Sequence, residues 1–177
     1  MKKILLVLAV IVFAFLAFVA SQPSHFEITR SVKISAPAKK VFPMVNDFHN
    51  WAAWSPWAKM DLAAKNTYEG PESGVGAMFS WVGNNKVGEG KMTIVESRPK
   101  DYIQIKLDFL KPMKATNKTE FTFKSESRKE TVVTWTMSGE NNFIGKAMSL
   151  IMNCEKMVGG EFEKGLASIK SISEAKR

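Results

Sequence analysis

Apolar and polar side chains alternate through most of the middle of the chain. Residues 26–34, "FEITRSVKI", and residues 103–109, "IQIKLDF", follow this period of two most regularly. Such alternation predicts strands that have one dry face. Turn residues such as Gly83-Asn84-Asn85 separate the runs, and connections this short predict antiparallel neighbours. Further strand-like runs cover residues 66–70, 76–83, 87–97, 114–125 and 130–139.

Two segments change to helical spacing. Residues 35–47, "SAPAKKVFPMVND", predict one or two short helices, with Ser35 as a capping candidate and Pro37 near the first helical position. From residue 141 onward, apolar residues recur at helical intervals, which predicts one long amphipathic C-terminal helix. The fold class is therefore α+β, a curved antiparallel sheet of about six to seven strands wrapped around that helix. The helix's apolar stripe comprises Ile144, Ala147, Met148, Ile151, Met152, Val158, Phe162, Leu166 and Ile169.

Cys154 and the pair Gly159-Gly160 fall inside this predicted helix. On the apolar stripe, a free cysteine is expected to pack as a small hydrophobe rather than to act as a nucleophile. Two glycines in a helix interior favour close packing or a kink over a functional hinge. Neither feature predicts catalysis.

The first 22 residues form a separate segment from the domain predicted for residues 23–177. Ile4 to Ala20 is an unbroken run of 17 apolar residues behind Lys2 and Lys3. That length lies between a signal-peptide core and a membrane span, so both a signal anchor and a cleaved signal peptide stay open. The two lysines favour a cytoplasmic N-terminus, which predicts a membrane-anchored domain on the extracytoplasmic (periplasmic) side, or a secreted domain after cleavage.

Charge and composition narrow the classes of partner. The net charge is +8, but arginine occurs only at positions 30, 98, 128 and 177, and no base-reading motif is present, so nucleic-acid binding is not predicted. His25 and His49 lack carboxylates or cysteines at metal-ligand spacing, so neither a metal nor another cofactor is predicted. The sequence leaves the oligomeric state open.

Three of the five tryptophans, Trp51, Trp54 and Trp57, fall within seven residues around Ser55-Pro56. Indole buries a large apolar area and keeps one polar N–H, which suits the mouth of an apolar cavity. The same rings also suit an ordinary core. Both interpretations stay open for Trp54 and Trp57, whereas Trp51, next to Phe48, is expected in the core.

Two motifs give the chain a family resemblance. Ala-Pro-x-x-x-Val-Phe at 36–42, followed by Trp-x-x-Trp-Ser-Pro-Trp at 51–57, resembles the SRPBCC or START-like superfamily in its polyketide cyclase/dehydrase-like branch. The resemblance runs from about residue 26 to 173. It implies a helix-grip fold, in which the sheet and the C-terminal helix enclose a deep apolar cavity for lipids, sterols, polyketides or similar molecules.

The leading hypothesis is a membrane-tethered module that holds a small hydrophobic or amphipathic, lipid-like ligand, with no catalytic residues and membrane contact through residues 4–20. An apolar cavity gains affinity from desolvation and supplies little transition-state stabilisation. The predicted ligand-binding residues are Trp54, Trp57, Phe79, Trp81, Met92, Leu107, Phe109, Phe121, Trp135, Met148 and Met152.

Two other functions stay open. One is a cyclase or hydrolase that uses a cavity carboxylate, Glu89 or Glu120, with Tyr68 or Tyr102 as donor. The other is a protein-interaction module, which requires a filled core and an exposed apolar patch.

Overall fold

The computed structural model describes residues 2–151 and 153–175. Its centre is one seven-stranded antiparallel sheet with the strand order β1-β7-β6-β5-β4-β3-β2. This confirms the strand runs that the period of two predicts. The strands are β1 (His25–Ile34), β2 (Lys65–Glu69), β3 (Met78–Val82), β4 (Glu89–Arg98), β5 (Tyr102–Lys111), β6 (Ala115–Ser127) and β7 (Glu130–Glu140).

Helices precede the sheet, follow β1 and close the chain. An N-terminal apolar helix leads into β1, and four short helices and a 3₁₀ turn (Phe48–Asn50) connect β1 to β2. The helices are α1 (Lys2–Ser21), α2 (Ala38–Val41), α3 (Pro43–Asn46), α4 (Trp51–Trp54), α5 (Pro56–Met60), α6 (Phe143–Ile151) and α7 (Cys154–Glu174). The first of the short helices has Pro37 as its N-cap with no side-chain cap, so the expectation that Ser35 caps it is wrong.

The predicted long C-terminal helix is present as α7, but it begins at Cys154 rather than near residue 141. The segment forms two helices, α6 and α7, and Asn153 caps α7 by accepting a hydrogen bond from the Lys156 N–H at 2.9 Å. An asparagine in this position satisfies one of the free N–H groups of a new helix, so α7 starts there instead of continuing α6. Cys154 is then the first residue of α7, and its side chain is exposed rather than in the core.

Helix α7 covers the concave face of the sheet and lies mainly over β1. Phe162, Leu166 and Ile169 are buried against it, as the helical spacing predicts. Burying side chains of this size contributes about 1.5–3 kcal/mol each to stability, so these three residues account for much of the packing energy between α7 and the sheet. At the last turn, Glu174 accepts a hydrogen bond from the Ser35 N–H at 2.6 Å and closes the gap between α7 and the end of β1.

Different strand termini and loops lie at the two ends of the sheet. Because the strands are antiparallel, the start of β1, the end of β7 and the loops 83–88 and 112–114 all lie at one end, which we call the α1 end. The backbone links α1 to this end, since the Asn141 N–H donates to the Ser24 carbonyl at 2.7 Å. The opposite, far end holds the loops 35–37, 99–101 and 128–129.

Candidate ligand-binding site

Burial of the inner side chains of β5 decreases toward the α1 end. On β5, the inward residues Ile103 and Ile105 are fully buried, whereas Leu107 and Phe109, on the same side of the same strand, are only partly buried. All four keep the spacing of two that puts side chains on one face. The apolar lining of the sheet therefore extends beyond the helices that cover it.

An aromatic row crosses this partly open end. Trp81 lies over Gly90 of the neighbouring strand, where a Cβ atom would collide with its ring. The Trp81 ring is 6.0 Å from Phe79 and 6.2 Å from Phe109, measured between centroids, and the Trp81 Nε1–H donates to the Val87 carbonyl at 3.0 Å. The row thus presents one continuous apolar surface in which the indole N–H is satisfied.

The centre of the concave face is filled by the protein's own aromatic side chains. Trp135 stacks on Phe162 of α7 at 4.0 Å and on Phe121 at 4.8 Å. Trp54 lies 5.6 Å from Trp135 and donates its indole N–H to the Met44 carbonyl at 2.7 Å. The deep central cavity that the resemblance implies is therefore occupied at this level of the sheet, and the accessible apolar lining lies farther toward the α1 end.

Trp57 lies at the boundary between the filled centre and the partly open end. Its ring is 5.8 Å from Trp135 and 6.2 Å from Phe162, yet it remains partly exposed. Pro56 starts a new helix between Trp54 and Trp57, and this break turns the two indoles to different depths.

A polar side chain that the sequence analysis did not select lies on the same inner face. Asn117 is 7% exposed and stands opposite Leu107 on one side and Gly139 on the other. Its carboxamide occupies the space that a side chain at Gly139 would need. Among the described residues, the only hydrogen-bond partner of this amide is the Met137 Sδ atom at 3.9 Å, a weak acceptor. The sequence could have indicated this residue, because the alternation around Phe121 places position 117 on the inner face of the sheet.

The predicted ligand-binding residues divide into four groups. Trp54, Phe121, Trp135 and Met92 are buried on the inner side, and Met148 is exposed on α6. Met152 lies outside the described residues. The strand register brings Phe79, Trp81, Leu107 and Phe109 together along the partly open lining, and Trp57 is partly buried beside Trp135 and Phe162.

Two surface clefts lie elsewhere. One of about 420 Å³ lies at the far end, between Pro37, Lys100 and Arg128. The other, of about 220 Å³, lies beside His49 and Tyr68. There Asp47 accepts from the His49 backbone N–H and approaches its Nδ1 atom at 2.8 Å, so this carboxylate caps a 3₁₀ turn.

The carboxylates considered for catalysis lie on the outer face of the sheet, so the proposal that they enter the cavity is wrong. Glu89 pairs with Lys111 at 2.6 Å, and Glu120 accepts hydrogen bonds from Tyr102 and Lys118. Burial, and then the hydrogen bond to Glu120, raises the pKa of Tyr102. The pKa of Glu120 is lowered, because the hydrogen bonds from Lys118 and Tyr102 together outweigh the opposing effect of burial. Within residues 2–151 and 153–175, no cluster of three metal-ligating side chains occurs.

The curved sheet gripping a C-terminal helix, with an apolar lining between them, defines the helix-grip class. The chain belongs to the family described as polyketide cyclase/dehydrase and lipid transport, whose profile matches residues 25–174. The family resemblance of the two motifs is thereby confirmed. A comparison with curated proteins found no match to the chain.

Solved structures of the same fold share little sequence with the chain. The di-domain ARO/CYC BexL from the BE-7585A biosynthetic pathway aligns with a TM-score of 0.63 and 18% identity over 90% of this chain and 53% of its own. This chain thus spans about half of that protein. The Aha1 dimer from Colwellia psychrerythraea aligns with a TM-score of 0.59 and 14% identity over 84% and 96% of the two chains. Protein CV1439 from Chromobacterium violaceum aligns with a TM-score of 0.59 and 14% identity over 87% of this chain and 100% of its own.

Proposed function

We propose that the protein is a membrane-tethered binding module in which residues 1–22 anchor the domain of residues 23–177 on the extracytoplasmic side. Helix α1 is long and apolar enough to cross a membrane, and its side chains are exposed except for Val19. Leaving so many apolar side chains in water is unfavourable, and a bilayer would cover them. Lys2 and Lys3 at its start support a cytoplasmic N-terminus.

The ligand is a small hydrophobic or amphipathic molecule, held against the inner face of the sheet at the α1 end. The observation that carries this proposal is the change along β5 from fully buried Ile103 and Ile105 to partly buried Leu107 and Phe109. A closed core would cover all four. A ligand tail along Leu107, Phe109 and Trp81 would remove that surface from water.

The polar part of the ligand would meet Asn117. This amide lies in the apolar lining with only a sulfur partner among the described residues, so it keeps hydrogen-bonding capacity for a hydroxyl, carbonyl or ester. Apolar sites commonly fix ligand orientation with one or two such groups. The family name, which includes lipid transport, agrees with a ligand of this kind.

Native mass spectrometry of the full chain tests the proposal. The protein is extracted from host membranes in native lipid particles and released in the spectrometer. We expect a one-to-one adduct of an amphipathic mass that is lost in Leu107→Gln, on the inner face, and kept in Val95→Gln, an exposed position on the outer face. Absence of the adduct from the unmodified chain, or identical adducts on both variants, would overturn the proposal.

A further inference from the structure

Helix α6 shows its apolar side to solvent. At about 100° per residue, its apolar residues fall on one side of the helix, and Gly145, Lys146 and Ser149 fall on the other. In a helix that covers a protein core, the apolar side would be the buried one. Here the exposed fractions are 46% for Phe143, 55% for Ile144, 39% for Met148 and 41% for Leu150.

The side of α6 that carries Gly145 and Lys146 faces the rest of the protein, whereas Ser149, farther round the polar side, is exposed. Lys146 and Gly145 are partly buried, and the Lys146 Nζ atom donates to the Ala20 carbonyl, in the last turn of α1, at 3.2 Å. Helices α1 and α6 are in contact, and Val19, one residue before Ala20, is buried. Helix α6 therefore lies at the level where the apolar helix α1 ends.

Other exposed apolar side chains lie at the same end of the domain. Leu110 and Met113 flank the β5–β6 turn, and Met157 lies in the first turn of α7. Lys86 and Lys114 in the loops of this end form no ion pair with another described residue. Apolar side chains mixed with free cations are typical of surfaces that lie on anionic membranes.

We propose that the apolar side of α6, together with Leu110 and Met113, lies on the lipid bilayer that α1 spans. The inference rests on the proposed anchoring and adds the orientation of the domain. Two contacts with the membrane, a spanning helix and an interfacial helix, restrict how the domain can tilt. The partly open lining with Leu107 and Phe109 is at this same end of the sheet, so it faces the bilayer and takes its ligand from membrane lipid.

Spin labels on the full chain in vesicles of phosphatidylethanolamine and phosphatidylglycerol test this orientation. Cys154→Ser removes the native thiol, and single cysteines are placed in turn at Phe13, Ile144, Ser149 and Val95. Collision rates with oxygen, which concentrates in lipid, and with a water-soluble nickel chelate report the surroundings of each label. We expect the Ile144 label to collide several-fold less with the chelate than the Ser149 label on the opposite side of the same helix.

The labels at Phe13 and Val95 separate the two proposals. Phe13 lies in α1 and is expected to report lipid, whereas Val95 is on the outer face of the sheet and is expected to report water. If the Phe13 label reports water, the anchor proposal fails. If it reports lipid while Ile144 and Ser149 are equally accessible to the chelate, the docking of α6 is overturned and the anchor stands.

Discussion

The guanidinium group of Arg30 occupies the space beside Gly159 in which a side chain would otherwise lie. Arg30 is an inward residue of β1, and its group donates to Glu163 at 2.6 Å and to Glu155 at 2.7 Å, one turn or so to either side of Gly159 on α7. The glycine lets strand and helix approach closely enough for both ion pairs. The helix continues through it, which agrees with the close-packing interpretation.

Alanine at positions 159 and 160 should have opposite effects on stability. Gly160 has no atom near its would-be Cβ, so Gly160→Ala should stabilise the protein by up to about 1 kcal/mol through helix propensity. Gly159→Ala must displace Arg30, and overpacking of this kind costs about 1–3 kcal/mol. Chemical denaturation measures both. In an Arg30→Ala background the penalty at position 159 should vanish, and equal effects at the two glycines would contradict the packing described.

Alanine substitutions at Trp54 and Trp57 should affect different properties, mainly stability at Trp54 and mainly ligand binding at Trp57. Trp54 is fully buried, so Trp54→Ala should lower the free energy of unfolding by about 3–5 kcal/mol. Trp57 is partly exposed, so Trp57→Ala should cost clearly less while it weakens retention of the co-purified ligand. Thermal melts and native mass spectrometry of the same samples compare them. A loss of stability at Trp57 as large as that at Trp54, with the adduct unchanged, would make Trp57 a core residue only.

Both tyrosines should ionise above the ordinary pKa of about 10. Burial, and then the charge of Asp47, raises the pKa of Tyr68, and burial, followed by the hydrogen bond to Glu120, raises that of Tyr102. A raised pKa stabilises the fold at pH values below the ordinary pKa, and this contribution is lost as the pH rises through the folded-state value. Stability should therefore decline with rising pH above about 10.

Ultraviolet titration measures this directly, because the chain has only two tyrosines. The native protein should show less tyrosinate at the ordinary pKa than the protein unfolded in denaturant. Tyr102→Phe isolates Tyr68, and Glu120→Gln should move the Tyr102 transition to lower pH. Coincident native and unfolded curves would rule out the arrangement around Glu120.

Asn117→Leu should leave stability unchanged or raise it, while it reduces binding of a ligand that has a polar group. The Asn117 amide has only a sulfur partner among the described residues, and leucine has a similar shape, so the exchange loses little hydrogen bonding. Denaturation and adduct measurements on one preparation test both effects, with Val95→Leu as a control on the outer face. Destabilisation together with undiminished binding would show that the amide serves the fold rather than the ligand.

Local pattern predicted the long strands well because each of them has one dry face, whereas the short strand β2 is exposed throughout. The alternation in β5 and β6 also contained the answer about the carboxylates: Phe121 points inward, so its neighbour Glu120 must point outward, as the structure shows. Trp54 and Trp57 could not be separated in this way. Their depth depends on where α7 crosses the sheet, which brings Phe162 onto Trp135 and leaves Trp57 at the edge of that stack.

The C-terminal segment shows most clearly what helical spacing cannot predict. Helical spacing placed Ile144 and Met148 on the same stripe as Phe162 and Leu166, yet the helix ends before Asn153 and a new one begins. Periodicity tells which side of a helix is apolar, but it contains no information on what lies against that side.

By itself, the sequence determined the fold class, the strand set, the apolar N-terminal segment and the family, because these follow from local spacing and motif order. Only the tertiary structure decided that the centre of the concave face is filled, that the lining opens toward α1 and that α6 turns its apolar side outward. These properties depend on contacts between residues distant in the chain, such as Arg30 with Glu155 and Lys146 with Ala20. Such contacts are set by how whole elements pack together.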